Sequence, residues 1–322
     1  MIRVTLGQTL VAHDSSVQKL TSEGIEDSRT HDNDLREVYA PLLCLKTEFD
    51  PTEATVLITS QVAAGVVKGL SPDTLLESPA QVIIQTSGID SFEPTYKCSP
   101  AESIRSAYIG TNANWTAHLD AASSLYDKLD KVSGIPRDDT GGWHTNFDHY
   151  HDNLSAKQCH SKSLPCSLND TSICVTQDEA DIVCRLGNYE YSYYYRGAVN
   201  STAYTALHFG AWFGELKARL QGKIDGSNSV KYYHNDAHDG SMASLLGFLQ
   251  VGKMVWPGMG SEAAFELYQK ESRPFVRVLW SGQPMNTSTP LGTLDMTPVE
   301  DLLSYIHSMI GSSSELFAAC NA

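Results

Sequence analysis

His238 and Asp239 are the neighbouring residues of this sequence best suited to chemistry. An imidazole can hold an anion, and a carboxyl beside it can give a proton to a leaving oxygen, which is the work of a general acid. A His-Asp pair is common in proteins, so its setting decides what it means. Val230-Lys231-Tyr232-Tyr233-His234 reads as a short strand, and Met242, Leu245, Leu246 and Leu249 repeat at helical spacing after Asn235 to Ser241. The pair is therefore predicted in a strand-to-helix loop. In an open α/β sheet such a loop lies at the carboxyl end of a strand, where ligands bind, and the helix N-terminus presents free N–H groups to anions.

Two further groups could do chemistry. His144, His149, His151 and His160, with Asp148 and Asp152, can be read as metal ligands, since His149 and His151 could reach one ion from a strand. The preferred reading is a polar segment packed through Trp143 and Phe147, with no metal. Tyr189, Tyr191, Tyr193, Tyr194 and Tyr195 could face a ligand, but packing within their own segment is the preferred reading.

The elements that must position these residues form an interrupted α/β pattern. Residues 1–75 read as a strand near Thr9-Leu10-Val11, a helix from about Ile25 to Tyr39, a strand Ala54–Ile58 and a helix Gln61–Leu70. Residues 76–200 are rich in Tyr, His, Asn, Asp and Cys, with helices at Ala117–Val132 and Asp178–Leu186, and read as an inserted, mostly helical cap. The α/β pattern returns over 201–322 with a helix around Trp212–Leu220 and paired strands Ala263–Tyr268 and Phe275–Trp280. Thr297-Pro298-Val299-Glu300 reads as a helix start, with Thr297 as N-cap, Pro298 first and Glu300 completing a capping box.

The composition narrows the function. A chain of 322 residues with formal charge −15 has no basic field for nucleic acid or an anionic membrane, so any anion site must be local. No stretch reaches the roughly 18 apolar residues of a membrane span. Seven cysteines, four between 159 and 184, predict disulfides of open connectivity, and the absence of CxxC weakens a metal reading. Sequons at Asn114, Asn153, Asn169, Asn200 and Asn286, each in a loop-like context, add the expectation of a secreted glycoprotein. Met1 to Leu6 has no basic leader and apolar run, so a removed signal or an incomplete start is expected; the odd cysteine count fits the second.

The run from Tyr233 through His238-Asp239, with Trp256-Pro257-Gly258-Met259-Gly260-Ser261-Glu262 and Phe265-Glu266-Leu267-Tyr268 after it, resembles the C-terminal signature of the histidine acid phosphatases. These are branch 2 of the histidine phosphatase superfamily. Leu20-Thr21-Ser22-Glu23-Gly24, Thr59 to Ala63, Lys68 to Pro72 and Thr297 to Ile306 are similar to further segments of that family, so the likeness covers most of 20–310, least in the cap. It implies a phosphoglycerate-mutase-like α/β sheet flanked by helices, with core 1–75 and 201–322 and cap 76–200. It also implies phosphomonoester hydrolysis at acid pH, with no cofactor or metal. His238 would bind the phosphoryl oxygens and Asp239 would protonate the leaving alkoxide.

The sequence departs from that family at its N-terminal half. The family carries R-H-G-x-R-x-P on its first strand, and no such motif exists here. One register, Leu10-Val11-Ala12-His13-Asp14, keeps a histidine, making His13 the nucleophile position, but has Ala12 for the arginine. The other, Ile2-Arg3-Val4-Thr5, keeps the arginine and loses the histidine. The arginine expected at the second strand is Ile58. Two expectations follow: a phosphatase of impaired or absent turnover, or a secreted pseudophosphatase that binds a phosphomonoester or other small anion through the remnant pocket.

Overall fold

The computed structural model describes residues 3–8, 22–58, 63–73, 82–83, 85–86 and 88–322. The strands are β1 (Arg3–Gln8), β2 (Ala54–Ile58), β3 (Val82–Ile83), β4 (Tyr232–Ala237), β5 (Glu262–Lys270), β6 (Arg273–Trp280), β7 (Gln283–Pro284) and β8 (Thr297–Pro298). They form one sheet in the order β3-β2-β4-β1-β5-β6-β7, with β8 on β6. β3, β2, β4 and β1 are mutually parallel, and β5 turns the sheet antiparallel. Gln8 lies opposite Ala237, and Ile58 opposite Asp236. β1, β2 and β4 therefore end side by side, just before His238.

The helices are α1 (Ser22–Leu43), α2 (Ala63–Leu70), α3 (Ser99–Tyr108), α4 (Ala113–Ala121), α5 (Ser123–Ser133), α6 (Asp148–Cys159), α7 (Gln177–Ser192), α8 (Ser201–Ile224), α9 (Asp239–Phe248), α10 (Val299–Ile310) and α11 (Ser313–Cys320), with a π-helical turn at Tyr193–Gly197. Strand alternation assigns them to two sides of the sheet. Val56 and Tyr232 pack with Leu35, Tyr39 and Leu43 of α1. Their neighbours Leu57 and Tyr233 belong to the main core with Trp212, Phe213 and Leu245. A separate cluster, including Leu125, Tyr126, Phe147, Tyr150 and Val183, joins α5, α6 and α7.

Glu266 shows how the α1 face tolerates a buried charge. It sits between Phe265 and Leu267 on β5 but accepts hydrogen bonds from Tyr39, from Tyr268 at 3.0 Å and from Arg277. Burial alone would raise its pKa; these donors outweigh burial and hold the carboxyl below its usual range.

Several local expectations are corrected. Helix Ala117–Val132 is two helices broken at Ala122, so that Trp115 enters the main core while Leu125 and Leu129 face α6 and α7. The Thr297 capping box does not form: Thr297 and Pro298 pair with Val276 and Phe275, Pro298 becomes the N-cap, and no side chain caps the helix. Sheet pairing overrode the local signal. Capping boxes occur instead at Thr176/Glu179 and Ser312/Glu315. Asn114 and Asn153 lie in helices α4 and α6 rather than loops, although all five sequon asparagines are exposed. The strand expected near Thr9–Val11 lies outside the described residues; the strand described there ends at Gln8.

Disulfides join Cys98 to Cys320 and Cys166 to Cys174, and Cys44, Cys159 and Cys184 are free and exposed. Among the described residues no helix is long and apolar enough to cross a membrane.

Candidate active site

His238 is the N-cap of α9 and Asp239 its first residue, as the strand-to-helix reading requires. The Asp239 carboxylate is held on both oxygens. Oδ1 accepts the Gly240 N–H at 2.7 Å; Oδ2 accepts the Tyr191 hydroxyl at 2.8 Å and the indole N–H of Trp256. Tyr191 comes from the last turn of α7 and Trp256 from the loop between α9 and β5.

Trp256 is itself fixed by stacking. Its ring lies 3.8 Å from that of His151 and 3.9 Å from that of Tyr191, and its backbone N–H donates to Asn188 Oδ1 at 2.8 Å. Gly187 makes room for this stack, because a Cβ there would lie 2.8 Å from both His151 Cδ2 and Trp256 Cε3. Gly187→Ala is therefore expected to cost about 1–3 kcal/mol through overpacking. A urea denaturation midpoint equal to that of the unaltered protein would show that the rings give way freely.

Beside Asp239 stands α6, which presents Asp148, His151 and Asp152 at helical i, i+3 and i+4 spacing. Burial pushes the His151 pKa down to about 4 despite the Asp239 charge, so above that pH the ring is neutral and offers no cation. Burial, with the Asp239 and Asp148 charges, pushes Asp152 up to about 7. Its native state thus holds a proton between pH about 4 and about 7 that the unfolded chain releases, and stability falls as pH rises through that window. Asp152→Asn removes this loss. Thermal melts are expected to show the variant more stable than the unaltered protein at about pH 8 and closely similar at about pH 4. An equal difference at both would refute the assignment.

His238 faces a carboxylate: its Nε2 lies 3.2 Å from Glu93 Oε1, both side chains half-exposed. Glu93 is presented by a turn in which Asp90 Oδ1 accepts the N–H groups of Phe92 at 2.8 Å and Glu93 at 2.9 Å, with Phe92 buried as its anchor.

The other sequence candidates disperse. His144 pairs with Asp130 at 2.9 Å, His149 packs on Trp143, and His160 meets Glu23 at 3.1 Å. Among the described residues no group of three or more His, Cys, Asp or Glu is placed to hold a metal. Of the tyrosine stripe, Tyr191, Tyr194 and Tyr195 are all buried in the main core, and the Tyr191 hydroxyl also reaches Asp239. The roles of Glu93 and Asp152 were not read from the sequence. The Asp148/His151/Asp152 spacing was a usable signal; Glu93 had none.

His13 and Ala12 lie outside the described residues. Arg3 opens β1 opposite Tyr232, roughly 16 Å along the strand from Gln8 at about 3.3 Å per residue. Ile58 closes β2 opposite Asp236. Residues 9–21 and 59–62, which follow β1 and β2, contain no arginine. Among the described residues, no arginine hydrogen-bonds His238 or Asp239; Arg219 is engaged by Glu215 and Arg277 by Glu266.

No family model matches the sequence, and no curated protein matches it. Solved structures do match. The phytase of Klebsiella sp. ASR1 is similar with a TM-score of 0.63 at 13% identity, over 98% of this chain and 96% of that one. Hafnia alvei phytase in complex with tartrate gives 0.66 at 13% identity, over 98% and 97%. Bifidobacterium longum multiple inositol polyphosphate phosphatase in complex with phosphate gives 0.61 at 10% identity, over 98% and 93%. The fold, a mixed α/β sheet flanked by helices, is that of the histidine acid phosphatases.

Proposed function

We propose that this chain, built on the histidine acid phosphatase fold, is a phosphatase-like protein whose ancestral reaction is phosphomonoester hydrolysis at acid pH and whose turnover is impaired or absent. The observation that carries the proposal is Asp239, fixed by Tyr191 and Trp256 where three parallel strands end, together with the lack of any arginine in the sequence stretches 9–21 and 59–62 that follow two of those strands. Asp239 serves as the general acid position, His238 as the holder of the ligand's oxygens and His13 as the nucleophile position. The ligand class is a phosphomonoester or another small anion. In this reading 1–75 and 201–322 form the core and 76–200 the cap.

A second reading, a secreted non-catalytic pseudophosphatase, is favoured by one contact. The imidazole that should meet an oxyanion already meets the Glu93 carboxylate, and like charges there oppose a phosphate. Two disulfides and five exposed sequon asparagines support a secreted glycoprotein. Hydrolysis of p-nitrophenyl phosphate at about pH 5 tests the proposal. Turnover far above background that disappears in Asp239→Ala would sink it.

A further inference from the structure

Outside the candidate active site, a solvent-open cavity of about 220 Å³ lies between the segment Pro94–Cys98, α3 and α8. Thr95, Lys97, Glu102, Arg105, Tyr204 and His208 line it. At roughly 30 Å³ per water it has room for an oxyanion and several waters.

Its cations are unusual for so acidic a chain. Arg105 is half-buried; its Nη1 donates to the Tyr204 hydroxyl at 3.1 Å, and its guanidinium lies 5.3 Å and 5.8 Å from the ring centres of Tyr194 and Tyr204. Among the described residues, neither Arg105 nor Lys97 forms an ion pair, and Glu102, the cavity's carboxylate, pairs with neither. Aromatic faces recover only part of what a guanidinium loses on leaving water. The acidic residues of this chain outnumber its basic ones by 38 to 23, yet these two cations share a cavity without a carboxylate partner.

The walls are set in place without a ligand. The Tyr96 hydroxyl is shared between the carbonyls of Leu207 and His208, both at 2.7 Å, and the Cys98–Cys320 disulfide ties the segment to α11. Thr95 Oγ1 accepts the Gly88 N–H at 2.8 Å, which leaves its own hydroxyl proton to donate outward. His208 stacks on Tyr204, and burial, followed by the Arg105 charge, pushes its pKa down to about 4, so at neutral pH it adds no charge.

We propose that Thr95, Lys97 and Arg105 form a binding site for a tetrahedral oxyanion, a phosphate or phosphate ester, separate from the pocket of His238 and Asp239. The guanidinium fork and the hydroxyl direct hydrogen bonds at its oxygens, and Lys97 supplies a point charge. This inference does not rest on the proposed function, since the site binds whether or not Asp239 acts.

Inorganic phosphate titrated calorimetrically into the full chain at neutral pH and low salt is the test. Saturable binding is expected in the unaltered protein, and a saturable phase is expected to remain in His238→Ala, where only the second site is left to bind. It is expected to weaken at least about fivefold in Lys97→Gln, to persist in Lys97→Arg and to be lost in Arg105→Gln. Lys97 is exposed, so its variants keep the test decisive should Arg105→Gln fail to fold. Absence of saturable binding, binding unchanged by Lys97→Gln, loss in His238→Ala, or acetate binding as tightly as phosphate would each overturn the site.

Discussion

With p-nitrophenyl phosphate at about pH 5, turnover is expected to fall roughly three to six powers of ten below that of a histidine acid phosphatase with its full arginine set. A charge-assisted hydrogen bond contributes about 1.5–3 kcal/mol, and three missing arginines acting on one phosphoryl group remove about three times that. Nothing described around Asp239 replaces them. His151 is neutral, and the nearest additions to the site, Glu93, Asp148 and Asp152, are acidic. Protonation of Asp152 below about 7 removes one of those charges, so any residual turnover is expected to rise toward acid pH, and less steeply in Asp152→Asn. The pair Ala12→Arg and Ile58→Arg asks whether charge alone is missing: a gain of at least about tenfold supports the His13 register, and no gain counts against it.

Removing the Cys98–Cys320 bond with serines at both positions is expected to lower the unfolding free energy by about 3–5 kcal/mol. The bond closes a separation of 222 residues, against 8 for Cys166–Cys174. In the chain-entropy account loop length sets the gain, giving roughly 5 kcal/mol for the first and about 2.5 for the second. Urea denaturation of the two double variants checks the order, and equal losses would contradict it. Thiol titration of the native protein is expected to count Cys44, Cys159 and Cys184, all exposed. Three of the seven cysteines are thus unpaired within this chain.

Much of the fold was legible because local pattern and burial agree. β4 and α9 follow from a short strand and apolar residues at helical spacing, and the loop between them had to carry His238 and Asp239. Ala263–Tyr268 and Phe275–Trp280 read as paired strands and are paired as β5 and β6. The failures share a cause. Ala122 breaks a helix with no Gly or Pro to announce it, because two cores pull its halves apart. Thr297 and Pro298 had a helix start written into them and were taken by the edge of β6.

The same division holds at the site. Residue order alone placed an acid-base pair at the mouth of a sheet and left 9–21 and 59–62 without an arginine. What Asp239 and His238 touch follows from tertiary contacts instead. Tyr191, Trp256, His151, Asp152 and Glu93 come from segments separated from the pair by 17 to about 145 residues. Their hydrogen bonds, stacking and shared burial set the acidity of the site, and those depend on distances in space that no spacing along the chain encodes.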